Sequence, residues 1–458
     1  MEARNMTTIC VAKSVLGALG ILTALGLSAC SAKTSEQSAI GVTSDALTTN
    51  PSTSNAFAPF ADTGADVQGG AAHCFLKDTD TGVFPAVYYM ISLGGFGATG
   101  PSSRIEAFEP TAASGDGAWV SHAPGQPLHG IALPEAAGDG VAVTEGDGVA
   151  CYYSGGTTNG GESRQAIKLT VSGGSFTLTS LGSMQVGRSG HGMQLCGVPG
   201  WGMEQRLIVY GGRIGLFGTA ELEVFEGDTT WTKVTTGHLS NDVFNFASAS
   251  LDASTNRSKI LVANGDRGFG ALSSSIDTIY IQSPQCRPAL DVAVRPLVRS
   301  ASGGTVFTPD QKKQSIAFAY DEGGSPYYDS FIVAGGDNSF ALSTSTNRVV
   351  VTSWINSEGS IGPANAINSL VSAPALVALP GGDFALVGGC DHGCNNSLAN
   401  VQKFSAATRT WSSIGTLNKA RVWHIAEYLP TVPFTATGIY VTSGVRYPVG
   451  PETQTEVF

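Results

Sequence analysis

Cys390-Asp391-His392-Gly393-Cys394 is the densest run of chemically competent side chains in this 458-residue chain. Two thiols, a carboxylate and an imidazole within five residues suit zinc, which takes four such donors, often from two clusters. The sequence has no second Cys/His cluster. The same two thiols suit a small loop disulfide in an exported chain. A Cys390–Cys394 disulfide is therefore expected, with no metal and no cofactor. Asp266-Arg267 and Asp337-Asn338 resemble Asp391-His392 in placement, since each pair follows a glycine pair or its remnant. These six residues are the candidate ligand-binding set, and their bland alternative is turn capping by Asp and Asn. There is no Gly-x-Ser-x-Gly elbow, phosphate loop or His-Glu-x-x-His helix. Gly95-Phe-Gly-Ala-Thr-Gly100 has dinucleotide-fingerprint spacing but opens no helix, so it reads as a turn.

The elements that position these loops announce themselves by repetition. An apolar run ending in Gly-Gly closes at Gly95, Gly156, Gly212, Gly336 and Gly389. Worn copies end at Asn264-Gly265 and Ser443-Gly444. The seven copies lie about 53 to 61 residues apart, with one longer gap of about 71. A period of that size marks an array. The best units add an upstream Arg-x-x-His segment (Arg188 to His191, Arg421 to His424), an aromatic-ended third run and a fourth carrying Trp231 or Trp411. One unit is thus four short strands.

This pattern resembles the kelch repeat, and residues 63–458 resemble a kelch-type β-propeller. The resemblance implies an all-β, seven-bladed ring of four-stranded blades. Radial blades leave only short protected edges, and glycine supplies unusual backbone angles at each turn. It also implies that Arg188, His191, Arg421 and His424 make structural hydrogen bonds. The chain ends on what reads as a third strand, so residues 52–62 are expected to complete the last blade and close the ring. Kelch propellers include copper enzymes resembling galactose oxidase, whose site needs two tyrosines, two histidines and a Cys–Tyr crosslink. That constellation cannot be placed among the seven histidines here. Sialic-acid epimerases are another such class, and nothing identifies their site either.

The N-terminus is an address. Arg4 and Lys13 form a basic n-region ahead of an apolar stretch, 14–27, too short for a good membrane span, as in a secretory signal. It ends in Leu27-Ser28-Ala29-Cys30, which looks like the lipobox of bacterial lipoproteins. That implies a signal peptide over 1–29, lipid on Cys30, a Ser/Thr-rich tether over 30–62 and the propeller over 63–458. The expected location is the bacterial cell envelope, lipid-anchored, at the outer membrane. Cys74, Cys151, Cys196 and Cys286 allow three disulfide pairings. A formal charge of -11 with 13% charged residues and no basic stripe argues against nucleic-acid binding. With no catalytic constellation in sight, the expectation is a monomeric, non-enzymatic module that binds protein or glycan through its loops. The alternative is a carbohydrate-active enzyme, of oxidase or sugar-epimerase type, at the propeller mouth.

Overall fold

The computed structural model describes residues 70–458, except 79, 81–85, 98, 111–117, 146–147, 197–204, 255–256, 270, 284, 300–315, 321–328, 338–345, 352–357, 364–370, 392–393, 430–437, 443, 447–449, 452–455 and 458. The described residues form antiparallel sheets joined in chain order, with a 3-10 turn at Pro380–Gly382. The first sheet runs Ala72–Asp78, Val87–Leu93, Ile105–Glu109, Ala118–Trp119. The second runs Val141–Glu145, Ala150–Ser154, Gln165–Ser172, Ser175–Ser183. The third is Gly192–Leu195, Leu207–Tyr210, Leu222–Gly227, Thr230–Lys233. The fourth is Ala247–Ser254, Arg257–Ala263, Ile276–Ile281, Val292–Pro296. In the fifth, Ile316–Tyr320, Asp329–Ala334, Thr346–Val351 and Glu358–Pro363 gain Val298–Arg299 as a parallel edge. The sixth is Ala375–Ala378, Phe384–Val387, Asn400–Ser405, Thr410–Thr416.

The last repeat differs. Ile425–Leu429, Gly438–Thr442 and Glu456–Val457 make a three-stranded sheet. Among the described residues the propeller therefore has six complete blades, not the seven expected from the repeat count. The seventh glycine-ended strand, Gly438–Thr442, is flanked by one strand on each side, so its repeat shows three of a blade's four strands. The proposed closing strand, residues 52–62, and the lipobox lie outside the described residues.

Burial explains the radial arrangement. First strands of neighbouring sheets touch one another, so they lie nearest the axis. Second strands such as Leu207–Tyr210 are buried along their whole length, because both faces of each sheet meet a neighbour. One apolar cluster spans each junction. Leu76, Ile91 and Leu169 join the first sheet to the second. Met90 and Phe108 of the first sheet meet Ile425 and Tyr440 of the last, which closes the ring.

The glycine pairs sit at these junctions. The second glycine donates its N–H to a carbonyl just ahead of the next sheet: Gly95 to Ala137 (2.8 Å), Gly156 to Arg188 (2.9 Å), Gly212 to Val243 (2.8 Å) and Gly389 to Arg421 (2.9 Å). The first glycine has a positive φ (57° at Gly388), and a Cβ there would stand 2.7 Å from the Arg421 carbonyl. Two disulfides add covalent staples: Cys74–Cys151 between the first and second sheets, and Cys196–Cys286 between the third and fourth. Cys390 is joined to Cys394.

Candidate active site at the channel mouth

The residue two places ahead of a first strand repeats one unusual conformation. Gly70, Asp139, Gly190, Asn245, Ala373 and Trp423 have φ of 70°, 55°, 55°, 50°, 47° and 53°. This left-handed region is open mainly to Gly, Asn and Asp. Successive members are hydrogen-bonded: Asp139 N–H to the Gly70 carbonyl (2.9 Å), Gly190 to Asp139 (3.1 Å), Asn245 to Gly190 (2.9 Å). The fifth sheet's counterpart, residue 314, lies outside the described residues. Since first strands line the axis, this backbone chain rims one mouth of the central channel.

Glycines in the rim make room for the polar side chains. Asp139 Oδ1 lies where a Cβ on Gly70 would stand 2.7 Å away, and Asn245 Oδ1 lies 2.5 Å from a Cβ position on Gly190. Each carboxamide or carboxylate thus folds back along the rim. Asp139 is exposed, yet protein crowds it closely enough to push its carboxyl above the usual value, with Arg213 drawing it down. Water at the mouth tempers the push, and burial remains its larger cause.

Arg213 follows the third glycine pair and opens a two-stranded ribbon, Arg213–Ile214 with Phe217–Gly218. Its Nη2 donates to Thr157 Oγ1 (2.8 Å), and its Nε lies 3.5 Å from Glu162 Oε1. Thr157 and Glu162 belong to the neighbouring ribbon, Thr157–Thr158 with Gly161–Glu162. Similar ribbons follow the glycine pairs at Phe96–Gly97/Gly100–Pro101, Asp266–Gly268/Ala271–Leu272 and Val445–Arg446/Gly450–Pro451. Together they form a crown around the mouth, with Arg213 within electrostatic reach of Asp139.

The residues singled out by sequence stand elsewhere on this crown. Asp266 accepts from Gly268 N–H (2.8 Å), and its backbone pairs with Phe244 (2.8 and 2.9 Å). Arg267 is exposed beside it. Asp337 is buried after its glycine pair. Asp391 accepts from the Asn396 backbone (2.8 Å) and side chain (2.6 Å). Asn338 and His392 lie outside the described residues. The described carboxylates Asp266 and Asp391 cap turns in separate loops. Sequence reasoning passed over Asp139, Asn245 and Arg213. Asp139 and Asn245 share a backbone position, a left-handed residue two places before a first strand, which no residue type marks.

Below the rim, His73 Nε2 and Glu427 Oε1 face each other at 3.7 Å on first strands of the first and last sheets. Both keep partial access to the channel (34% and 23% exposed). Protein around them still drives each toward neutrality, His73 down to about 4 and Glu427 up to about 7. Between those two values both groups are neutral, so this is a neutral contact rather than an ion pair.

No family model matches the chain, and no curated protein matches it. Among solved structures the ring is similar to a novel fungal alcohol oxidase with catalytic diversity among the AA5 family, in complex with copper. The match has a TM-score of 0.56 and 12% identity, and covers 85% of this chain and 76% of that one. At that identity the likeness is one of fold. It nevertheless overturns the expectation of a module without catalysis, because this β-propeller architecture is one on which an oxidase is built.

A copper centre needs several side-chain donors converging on one point. Among the described residues no group of three or more His, Cys, Asp or Glu is placed to hold a metal ion. All six described cysteines are in disulfides. His191 and His424 are buried against Gly155 and Gly388, and His191 Nε2 is engaged with Ser154 Oγ at 2.8 Å. The described residues do not fit a copper centre.

Proposed function

We propose that this chain is a carbohydrate-active enzyme of the acid–base, sugar-epimerase type, working at the crown mouth. One observation carries the reading: a rim-held carboxyl, Asp139, exposed to the mouth and pushed above its usual value, beside the guanidinium of Arg213. A carboxyl shifted toward neutral pH is a better proton shuttle than an ordinary one. Asp139 takes the proton of a sugar hydroxyl or returns it. Asn245 supplies an amide that can both donate to and accept from neighbouring hydroxyls. Arg213 steadies negative charge on the sugar oxygen as the proton leaves.

The test is NMR detection of anomer or epimer exchange across a panel of reducing sugars. Wild-type protein accelerates exchange for at least one sugar. Asp139→Asn, with an unchanged melting temperature, loses at least about a hundredfold of that rate. An Asp139→Asn protein as active as wild type overturns the proposal, as does a wild-type protein inert toward every sugar. The proposal extends to location: the signal and Cys30 support an acylated envelope protein, checked by intact mass of the mature chain.

A further inference from the structure

We propose that the indole of Trp423 is the platform on which a pyranose ring stacks at the crown mouth. The proposal rests on the acid–base sugar reading given above and names the ring form that the site takes.

Trp423 is the one large side chain among the described rim residues. It is 37% exposed, while Val422 and His424 on either side are buried. The lead-in that carries it does not require it. Arg188-Ser189-Gly190-His191 and Arg421-Val422-Trp423-His424 are built alike. Each arginine is fully buried. Each histidine sets its Cε1 2.7 Å from a Cβ position on the first glycine of the preceding pair, Gly155 or Gly388. The third sheet thus makes the same lead-in with glycine where the last sheet has tryptophan. The backbone there is left-handed in both, with φ of 55° and 53°, which suits glycine and strains a bulky residue. The fold is made without the indole, so what it offers to a ligand accounts for it.

Its neighbours on the rim define that ligand. The last sheet packs on the first, and Asp139 N–H donates to the Gly70 carbonyl, so Gly70 stands between Trp423 and Asp139 along the rim. Gly70 has no side chain. The space beside it is bordered by Asp139 Oδ1 and by the Phe96 ring, 2.7 and 3.4 Å from where a Cβ would stand. An indole on one side of this gap and a carboxyl oxygen on the other match the two kinds of surface on a sugar ring. C–H bonds gathered on one face of a pyranose suit an aromatic face, and the hydroxyls at the ring edge suit the carboxyl. An open-chain polyol has the hydroxyls without the rigid apolar face, so the indole selects the closed ring.

The experiment is saturation-transfer difference NMR on the full chain with methyl glucopyranosides, galactopyranosides and mannopyranosides, which bind without exchanging their anomeric centre. Acyclic glucitol is the comparison. At least one glycoside binds the wild type, and glucitol does not. Trp423→Gly weakens that binding by about tenfold, whereas Trp423→Phe holds it within about threefold. Trp423→Asn, with the residue of the fourth sheet's rim, is the second variant should glycine lower the melting temperature. Glycoside binding unchanged in the Gly and Asn variants overturns the inference. So does equal binding of glucitol, or a wild type that binds no glycoside. Sugar exchange is read separately. A wild type that binds glycosides through Trp423 yet exchanges no sugar sinks the acid–base reading alone. Exchange that persists with binding indifferent to Trp423 sinks the platform alone.

Discussion

Burying an arginine costs several kcal/mol unless its charge and its donors are met. Arg188 and Arg421, both fully buried, show what meeting them takes in this ring. Arg188 Nη2 pairs with Glu223 and its Nη1 donates to the Gly211 carbonyl (2.8 Å); Arg421 Nη2 pairs with Glu456. Each carboxylate also accepts two backbone N–H groups, from Gln185 (2.6 Å) and Val186 (3.1 Å) or from Asn418 (2.6 Å) and Lys419 (3.0 Å). The fourth sheet keeps only half of this device, with Asp277 accepting from the Ser240 N–H (3.0 Å) and Val243 standing where the arginine would be. Arg188→Met therefore leaves Glu223 buried and uncompensated, at a cost of roughly 3–5 kcal/mol in chemical denaturation. Replacing Glu223 as well, with Met, recovers most of that loss. Glu427 behaves oppositely, because it is crowded by protein and its neighbour His73 is itself driven to the neutral form. Its carboxyl rises from 4.5 to about 7 in the folded protein, so the native state binds more protons than the unfolded one in that window. Stability contributed by this group therefore falls as pH rises from 4.5 to about 7. His73, displaced downward, acts in the other direction between about 4 and 6.5 and offsets part of this. Glu427→Gln removes the carboxylate penalty. At about pH 8 it raises stability by up to ~3 kcal/mol, and near the unfolded carboxyl value it changes little, as melting curves at the two pH values will show.

At the scale of the strand and its turn, the glycine pair is a junction rather than a hinge or an anion cradle. It ends a buried strand, turns with a positive φ and hands an N–H to the neighbouring sheet. Gly388→Ala places a methyl 2.7 Å from the Arg421 carbonyl and 2.7 Å from His424 Cε1, in a backbone conformation alanine resists. Backbone strain and clash together cost about 2–4 kcal/mol by urea titration, and the sixth and last sheets loosen together. A loss below about half a kcal/mol shows that the lead-in shifts freely. Because this device repeats in apolar, glycine-ended runs, the strands and their order were legible in the sequence. Third-strand Phe225 and Phe404 and fourth-strand Trp231 and Trp411 lie where the repeat placed them. The mouth was not legible. Its rim is held by backbone hydrogen bonds, which any residue able to adopt a left-handed turn can make. Glycine, aspartate, asparagine, alanine and tryptophan all occupy it, so no residue pattern marks it. Arg213 was hidden for another reason, since its partners Thr157 and Glu162 come from the preceding repeat, 56 and 51 residues away by number.

A closed ring is as strong as its weakest junction, because neighbouring repeats stabilise one another only through their shared faces. The first and second sheets share a large apolar cluster and the Cys74–Cys151 bridge, which spans 77 residues. The third and fourth share another cluster and the Cys196–Cys286 bridge, which spans 90. Each bridge removes about 4 kcal/mol of unfolded-chain freedom in the loop-entropy account. The junction between last and first sheets has neither advantage. Its buried apolar set is Met90, Phe108, Ile425 and Tyr440, and the last sheet has three strands among the described residues. Phe108 and Tyr440 stand 6.3 Å apart between centroids across that seam. The seam should therefore open before any other. Tyr440→Ala empties much of it and costs about 3–5 kcal/mol. In hydrogen exchange the variant loses protection first in Gly438–Thr442 and Val87–Leu93, while Leu207–Tyr210, between two packed neighbours, stays protected until global unfolding. Reducing the disulfides in the wild type lowers the global transition without advancing exchange at the seam. Equal early exchange at Leu207–Tyr210 in the variant would show instead that the ring unfolds as one unit, with the seam no weaker than the rest.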